Sequence, residues 1–115
     1  MDERLEKALD FANFLDTQNN QKRIFHKQYQ ENLIHYTNGC KFTVTPELIN
    51  LCITADRFSK NEVVLVDDNN TPLTVTDPIE FAKELFGVYV FASRKYASDY
   101  ESIKTSRSVE GLVDL

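Results

Sequence analysis

Tryptophan is absent from this 115-residue chain, which has only three glycines, three prolines, two cysteines and one methionine. Three glycines cannot supply the glycine-rich loops that cradle phosphates, so a nucleotide-binding motif of that kind is excluded. The two thiols, Cys40 and Cys52, are too few for the disulfide framework of a small secreted domain, and both are expected to be reduced. No apolar run approaches the roughly 18–20 residues that a bilayer core requires, so no membrane span is expected. Cations are the minority charge, 13 against 18 carboxylates, and the net charge of -5 argues against an extended phosphate-binding surface. The opening Met1-Asp2-Glu3-Arg4 is charged where a secretory signal turns greasy, which points to the cytoplasm.

What remains is a composition of ordinary globular character, 42% hydrophobic and 27% charged, in a chain the size of one domain. Residues 1–109 are expected to form that domain. Leu5, Ala8, Leu9, Ala12 and Leu15, then Asn19, Lys22, His26, Tyr29, Leu33 and Tyr36, recur at helical spacing. They predict one long helix over about 3–37, stopped by Asn38-Gly39 in the left-handed region. Alternation and β-forming residues predict a strand at 41–45. Thr45-Pro46-Glu47 is a helix start, with a hydroxyl cap, a proline in the first turn and a carboxylate near the positive end of the dipole, and opens a short helix over 46–58. Strands at 63–67 and 72–76 flank the polar loop Asp67-Asp68-Asn69-Asn70-Thr71.

Asp77-Pro78-Ile79-Glu80 opens a second long helix, over 77–107, with Glu80 placed to reach back to the cap. Its seam runs through Ala82, Leu85, Phe86, Tyr89, Ser93, Tyr96, Tyr100 and Ile103. Residues 85–92 are apolar on every side, so this stretch is either helix covered all round or a strand; helix is preferred because the seam stays in phase across Gly87. The fold class is α+β: two long antiparallel helices with a small antiparallel sheet and a short helix. If the long helices rise equally from a common apex, facing positions add up to about 115, which sets Glu6 and Asp10 opposite Arg107 and Lys104.

The same register gathers Lys22, Arg23 and Lys27 near Arg94 and Lys95, a basic belt that either splays into water or receives an anion such as nucleic acid. His26, His35, Cys40 and Cys52 lack the spacing of a zinc site, and the Asp67 loop lacks the alternating acids, central glycine and distal glutamate of a calcium loop. No metal or cofactor is expected. Two isolated histidines without an adjacent nucleophile offer no catalytic constellation, so the chain is read as no enzyme. Wide apolar arcs at 5–15 and 85–92 single out Phe11, Phe14 and Phe91 as oligomer contacts, suggesting a homodimer. Residues 110–115 form an acidic, hydrophobic tail, flexible in isolation, that would bind a partner through Leu112, Val113 and Leu115.

That tail resembles the C-terminal tails with which replication and late-transcription proteins of contractile-tailed phages hold the sliding clamp, departing from them at Val113. The run from Val63 through Asp67-Asp68-Asn69 and Pro72, into Ile79-Glu80-Phe81 and on to Tyr96, Tyr100, Lys104, Arg107, Val109 and Leu112, resembles small uncharacterised proteins of contractile-tailed marine bacteriophages. This resemblance implies a phage origin and a place in the bacterial host cytoplasm, and it brings no activity. In outline the helix, hairpin, helix order also resembles a prefoldin-type subunit, from which the helix at 46–58 departs. The function expected is a non-enzymatic protein-interaction or assembly module. The rival is a nucleic-acid-associated replication or transcription accessory protein using the belt and the tail.

Overall fold

The computed structural model describes residues 2–59 and 62–113, in the order α1 (Glu3–Asn32), β1 (Ile34–Thr37), β2 (Cys40–Thr43), α2 (Pro46–Ser59), β3 (Val63–Val66), β4 (Pro72–Val75) and α3 (Pro78–Val113). The class is α+β. Among the described residues no helix is long and apolar enough to cross a membrane. The chain divides into two compact units. Residues 29–94 form a mixed unit containing both hairpins and α2; residues 1–28 and 95–115 form a helical unit.

The first helix stops five residues short of the expected end, and those residues become a strand. Asn38 and Gly39 both have positive φ, 48° and 76°, and the ladder closes directly across them at Thr37 and Cys40. This is a two-residue hairpin turn with both central residues left-handed, the conformation that Asn-Gly favours most strongly. The dipeptide expected to cap a helix instead reverses the chain. Leu33 is released from the helix and its carbonyl accepts from Val44 N–H at 2.8 Å, extending the pairing beyond β1 and β2.

Alternation then sorts the side chains. Cys40, Phe42 and Val44 point into the core across from Thr37, His35 and Leu33, while Tyr36 and Thr43 stay in solvent. In the second hairpin Leu65 and Val75 are buried and Val64 and Val66 are exposed. Thr45 caps α2 by accepting from Leu48 N–H at 3.1 Å, and the helix buries Ile49, Cys52 and Ala55 at three-residue spacing. Asp77 caps α3 in the same way through Glu80 N–H at 3.2 Å. The Glu80 side chain does not return to that cap; it takes Lys83 at 2.9 Å. Phe42 and Phe81 meet edge to face at 5.7 Å, and with Val44, Leu65, Leu85 and Cys52 they form the centre of the core.

α3 is continuous through residues 85–92, without the strand, and runs to Val113 rather than to 107. The requirement that an all-apolar helical stretch be covered all round does not hold. Leu85 and Ala92 are buried, yet Phe86 and Phe91, one to either side of them around the helix, remain more than half exposed.

In the helical unit α1 and α3 are antiparallel, with His26 against Tyr96 and Lys22 against Tyr100. An equal rise from a common apex would put residue 89 beside His26, so the observed register lies seven positions further along α3. The first turns of α3 are spent on Phe81, Ala82 and Leu85 in the mixed core before the helix meets α1. Lys104, expected opposite Asp10, sits instead over the Tyr100 ring, Nζ 5.6 Å from its centroid; the side chain of Arg107, expected opposite Glu6, lies outside those described.

A Cβ at Gly39 would meet no atom within 4 Å, so substitution there tests conformational strain alone. Gly39→Val is expected to cost about 1–2 kcal/mol, the penalty of holding a β-branched side chain left-handed. Phe42→Ala should cost about 3–5 kcal/mol through the cavity it leaves. Urea unfolding followed by circular dichroism measures both.

Candidate functional site

The expected basic belt is divided between local partners. Lys22 lies over the face of Tyr100, Nζ 5.7 Å from the centroid, and Lys104 approaches the same ring. Tyr100 in turn meets Tyr96 edge on at 6.4 Å, and Tyr96 meets His26 at 5.9 Å. An aromatic ring carries negative charge on its faces, so one tyrosine between two ammonium groups offsets their repulsion. The Arg23 guanidinium donates to Asn20 Oδ1 at 2.9 Å, one turn away on its own helix, and Lys95 pairs with Asp99 at 3.0 Å. Lys27 is exposed in the helical unit, while Arg94, also exposed, belongs to the mixed unit. The belt expected either to splay into water or to receive an anion includes, in part, a ladder of rings and cations fastening two helices.

Of the expected oligomer contacts, Phe11 is 58% exposed and Phe91 62% exposed, whereas Phe14 is half-buried. In the tail, Leu112 and Val113 fall on the last turn of α3 and Leu115 lies outside the described residues. The side chains of Leu112 and Val113 also lie outside those described. Among the described residues no group of three or more His, Cys, Asp or Glu is placed to hold a metal ion. Both cysteines are free and buried, and burial pushes the Cys52 thiol above its ordinary pKa, away from the thiolate that metal binding or nucleophilic attack would need.

The mixed unit has an open cavity of about 220 Å³ against the start of α3, lined by Thr37, Asn38, Thr76, Asp77, Glu80 and Glu84 among others. Next to it, His35 Nε2 is 3.5 Å from Glu84 Oε2, and the same nitrogen is buried without a hydrogen-bond partner. The lining mixes threonine hydroxyls and carboxylates with the apolar side chains of Leu73, Val75 and Phe81. Lys83 is held by Glu80 beside it, which raises the lysine pKa.

The most organised polar site was read in the sequence as an ordinary turn. Asp67 Oδ2 accepts from Lys41 N–H at 2.9 Å, and its Oδ1 accepts from Asn69 and Thr71 N–H at 2.9 and 2.7 Å. Asp68 donates its own N–H to Lys41 C=O at 2.8 Å and accepts from the Thr43 amide at 3.2 Å and from the Thr43 hydroxyl. The two acids therefore staple the second hairpin onto β2 of the first. The N–H of Lys41, then that of Thr71, holds the Asp67 carboxyl below its ordinary pKa, with Asn69 adding to them and desolvation opposing. Its bonded geometry, with both acids committed to backbone partners, makes it a structural bracket. Five oxygen-bearing residues in a row gave no hint of it, because the partner amide at Lys41 is 26 residues away in the chain.

Because the folded-state pKa of Asp67 is depressed, its stabilisation is fully present above the unfolded value near 3.8 and is lost as pH falls through the lower folded value. Asp67→Asn, which cannot carry the charge and replaces one acceptor oxygen with a donor, is therefore expected to melt below wild type at pH 7. The gap in melting temperature should narrow steadily below about pH 4. Thermal unfolding of both proteins between pH 7 and pH 2 measures it.

The chain matches no protein-family model, no curated protein and no solved structure.

Proposed function

We propose that this protein is a non-enzymatic interaction or assembly module that binds other proteins through apolar side chains its own core leaves uncovered. The observation that carries this reading is the outward face of β3, where Val64 and Val66 stand side by side, 59% and 60% exposed, on a strand whose inward Leu65 is buried. Exposed aliphatic residues scattered singly are ordinary, but a paired set on one strand face is a surface that association can desolvate. α2 repeats the pattern, with Leu51 and Phe58 two turns apart on one helix face and Phe58 77% exposed. Large aromatic side chains such as Phe58 are enriched at protein interfaces relative to the rest of the surface.

Assembly as a homodimer, residence in a bacterial host cytoplasm and a phage origin belong to the same proposal and rest on the sequence resemblance and the exposed phenylalanines. The nucleic-acid reading draws on Lys22, Arg23 and Lys27, three cations within six residues of α1 with no carboxylate between Thr17 and Gln28. It predicts that binding of a short DNA duplex falls steeply with salt. The interaction-module reading predicts no such salt-steep DNA binding.

The test of the interaction reading is capture from bacterial lysate on immobilised wild-type chain and on a triple variant, Phe58→Ser, Val64→Thr and Val66→Thr. Surface changes of this sort alter stability by about 0.5 kcal/mol or less each, so the variant should melt close to wild type. At least one protein held by wild type is expected to drop about tenfold or more on the variant, the loss of about 1.4 kcal/mol of binding. Capture lists that match between the two, or no capture above bare resin, would overturn it.

A further inference from the structure

We infer that the helical unit is a homodimerisation element in which α1 of one chain lies antiparallel against α1 of a second copy. The inference deepens the assembly reading above and rests on it.

The helical unit does not close a core of its own. Among its described side chains Gln18 and Ile103 are the buried ones, and the Gln18 Nε2 is buried without a hydrogen-bond partner. The face of α1 turned to α3 carries Phe14, Leu15, Gln18, Lys22 and Phe25, each half-buried or buried. A second stripe of the same helix, Leu5, Leu9, Ala12, Asp16, Asn20, Arg23 and Lys27, is exposed along its whole length. Leu5 is 51% exposed, Leu9 47% and neighbouring Ile24 50%. α1 therefore has an apolar set facing solvent, which two helices in contact along one seam cannot cover.

Charge says what covers it. Residues 2–16 carry five carboxylates, Asp2, Glu3, Glu6, Asp10 and Asp16, against Arg4 and Lys7, whereas residues 17–28 carry Lys22, Arg23 and Lys27 and no acid. Among the described residues none of Glu3, Glu6, Asp10, Arg23 and Lys27 enters an ion pair within the chain. A rod that is acidic in one half and basic in the other is complementary to itself when reversed. The two-fold symmetric arrangement uses each half twice. One register brings Leu5 level with Ile24, Glu6 level with Arg23 and Asp2 level with Lys27 of the second copy, and symmetry repeats all three. The methylenes of Arg23 and Lys27 then extend over the aliphatic residues while their charged heads reach the acids.

The experiment is the solution mass of the full chain, by light scattering and native mass spectrometry, at tens of micromolar protein. Wild type is expected to have the mass of two chains in low salt. Its dissociation constant should weaken about tenfold or more between roughly 20 mM and 500 mM salt, as screening shortens from tens of ångströms to a few. Arg23→Glu with Lys27→Glu should be monomeric, as should Asp2→Lys with Glu6→Lys, since each sets like charges across the interface. An equimolar mixture of the two variants should recover a heterodimer, a result that misfolding of either cannot produce. Leu5→Gln with Leu9→Gln leaves the charges in place and should also weaken the dimer. A wild-type chain that stays monomeric in low salt would overturn the inference. So would a dimer indifferent to salt and to both charge reversals, or variants that fail to recombine. A monomer that still captures a lysate protein through Phe58, Val64 and Val66 would leave the interaction reading standing; a dimer that captures nothing would do the reverse.

Discussion

The Asp67 carboxylate receives the N–H groups of Lys41, Asn69 and Thr71 at once, and the neighbouring Asp68 takes both the amide and the hydroxyl of Thr43. The two sheets of this protein each have two strands and share no ladder. An isolated two-stranded hairpin is marginal in water. A pair of adjacent aspartates converts two such hairpins into one supported layer, because a buried carboxylate with three N–H partners is a stronger tie than a single neutral hydrogen bond. Phe42 then meets Phe81 beneath a layer that is already aligned, and Val44, Leu65 and Val75 are brought to one core from different hairpins.

Much of this was legible where local chemistry and tertiary need agree. The starts of α2 and α3 follow from Thr45-Pro46 and Asp77-Pro78, and the hairpin at 63–75 follows from β-branched runs around a polar loop. The end of α1 was not legible in the same way. Asn-Gly suits a helix C-terminus and a hairpin turn equally, since both need left-handed backbone at the glycine. What separates them at Gly39 is whether the residues before it have a strand to pair with. Tyr36 continues the helical stripe in sequence, yet Ile34 to Thr37 pair with Cys40 to Thr43, and eight residues of ladder outweigh one more turn of helix. The helix register failed for a related reason. Charge pairing at the expected positions looked self-consistent, but the arithmetic assumed that α3 meets α1 from its first turn, whereas those turns belong to the mixed core.

The basic belt illustrates how a pattern of charges misleads when aromatic neighbours are ignored. Five cations on two helices suggest an anion site if their field is summed in isolation. In the folded chain Lys22 and Lys104 share the Tyr100 ring, Arg23 turns to Asn20 and Lys95 to Asp99. Each of these contacts is within reach of sequence reasoning, being an i to i+3 or i to i+4 relation or a seam tyrosine. The tyrosines at 96 and 100 were placed on the seam of the second long helix; their second use, as negative faces for ammonium groups, depends on the register and appears only when that is known.

The two units thus differ in how far they satisfy themselves. Mixed-unit hairpins and α2 enclose Phe42, Leu85, Val44 and Cys52 almost completely, so this part carries its own hydrophobic stabilisation. The helical unit relies on a seam of rings and cations, with Leu5, Leu9 and Ile24 left in water. A helix held by few buried contacts opens locally at low cost, and anything that binds only its folded form stabilises it by mass action. For the antiparallel dimer inferred above the ligand would be the protein itself, so the order of residues 3–28 would rise with chain concentration while the mixed core stayed indifferent to it. Charge segregation along α1 sharpens that coupling, because the attraction between opposite halves acts before apolar contact is made and falls away with salt, whereas burial of Leu5 and Ile24 does not. In such a dimer orientation would be chosen by the charges, and persistence by the aliphatic side chains they bring together.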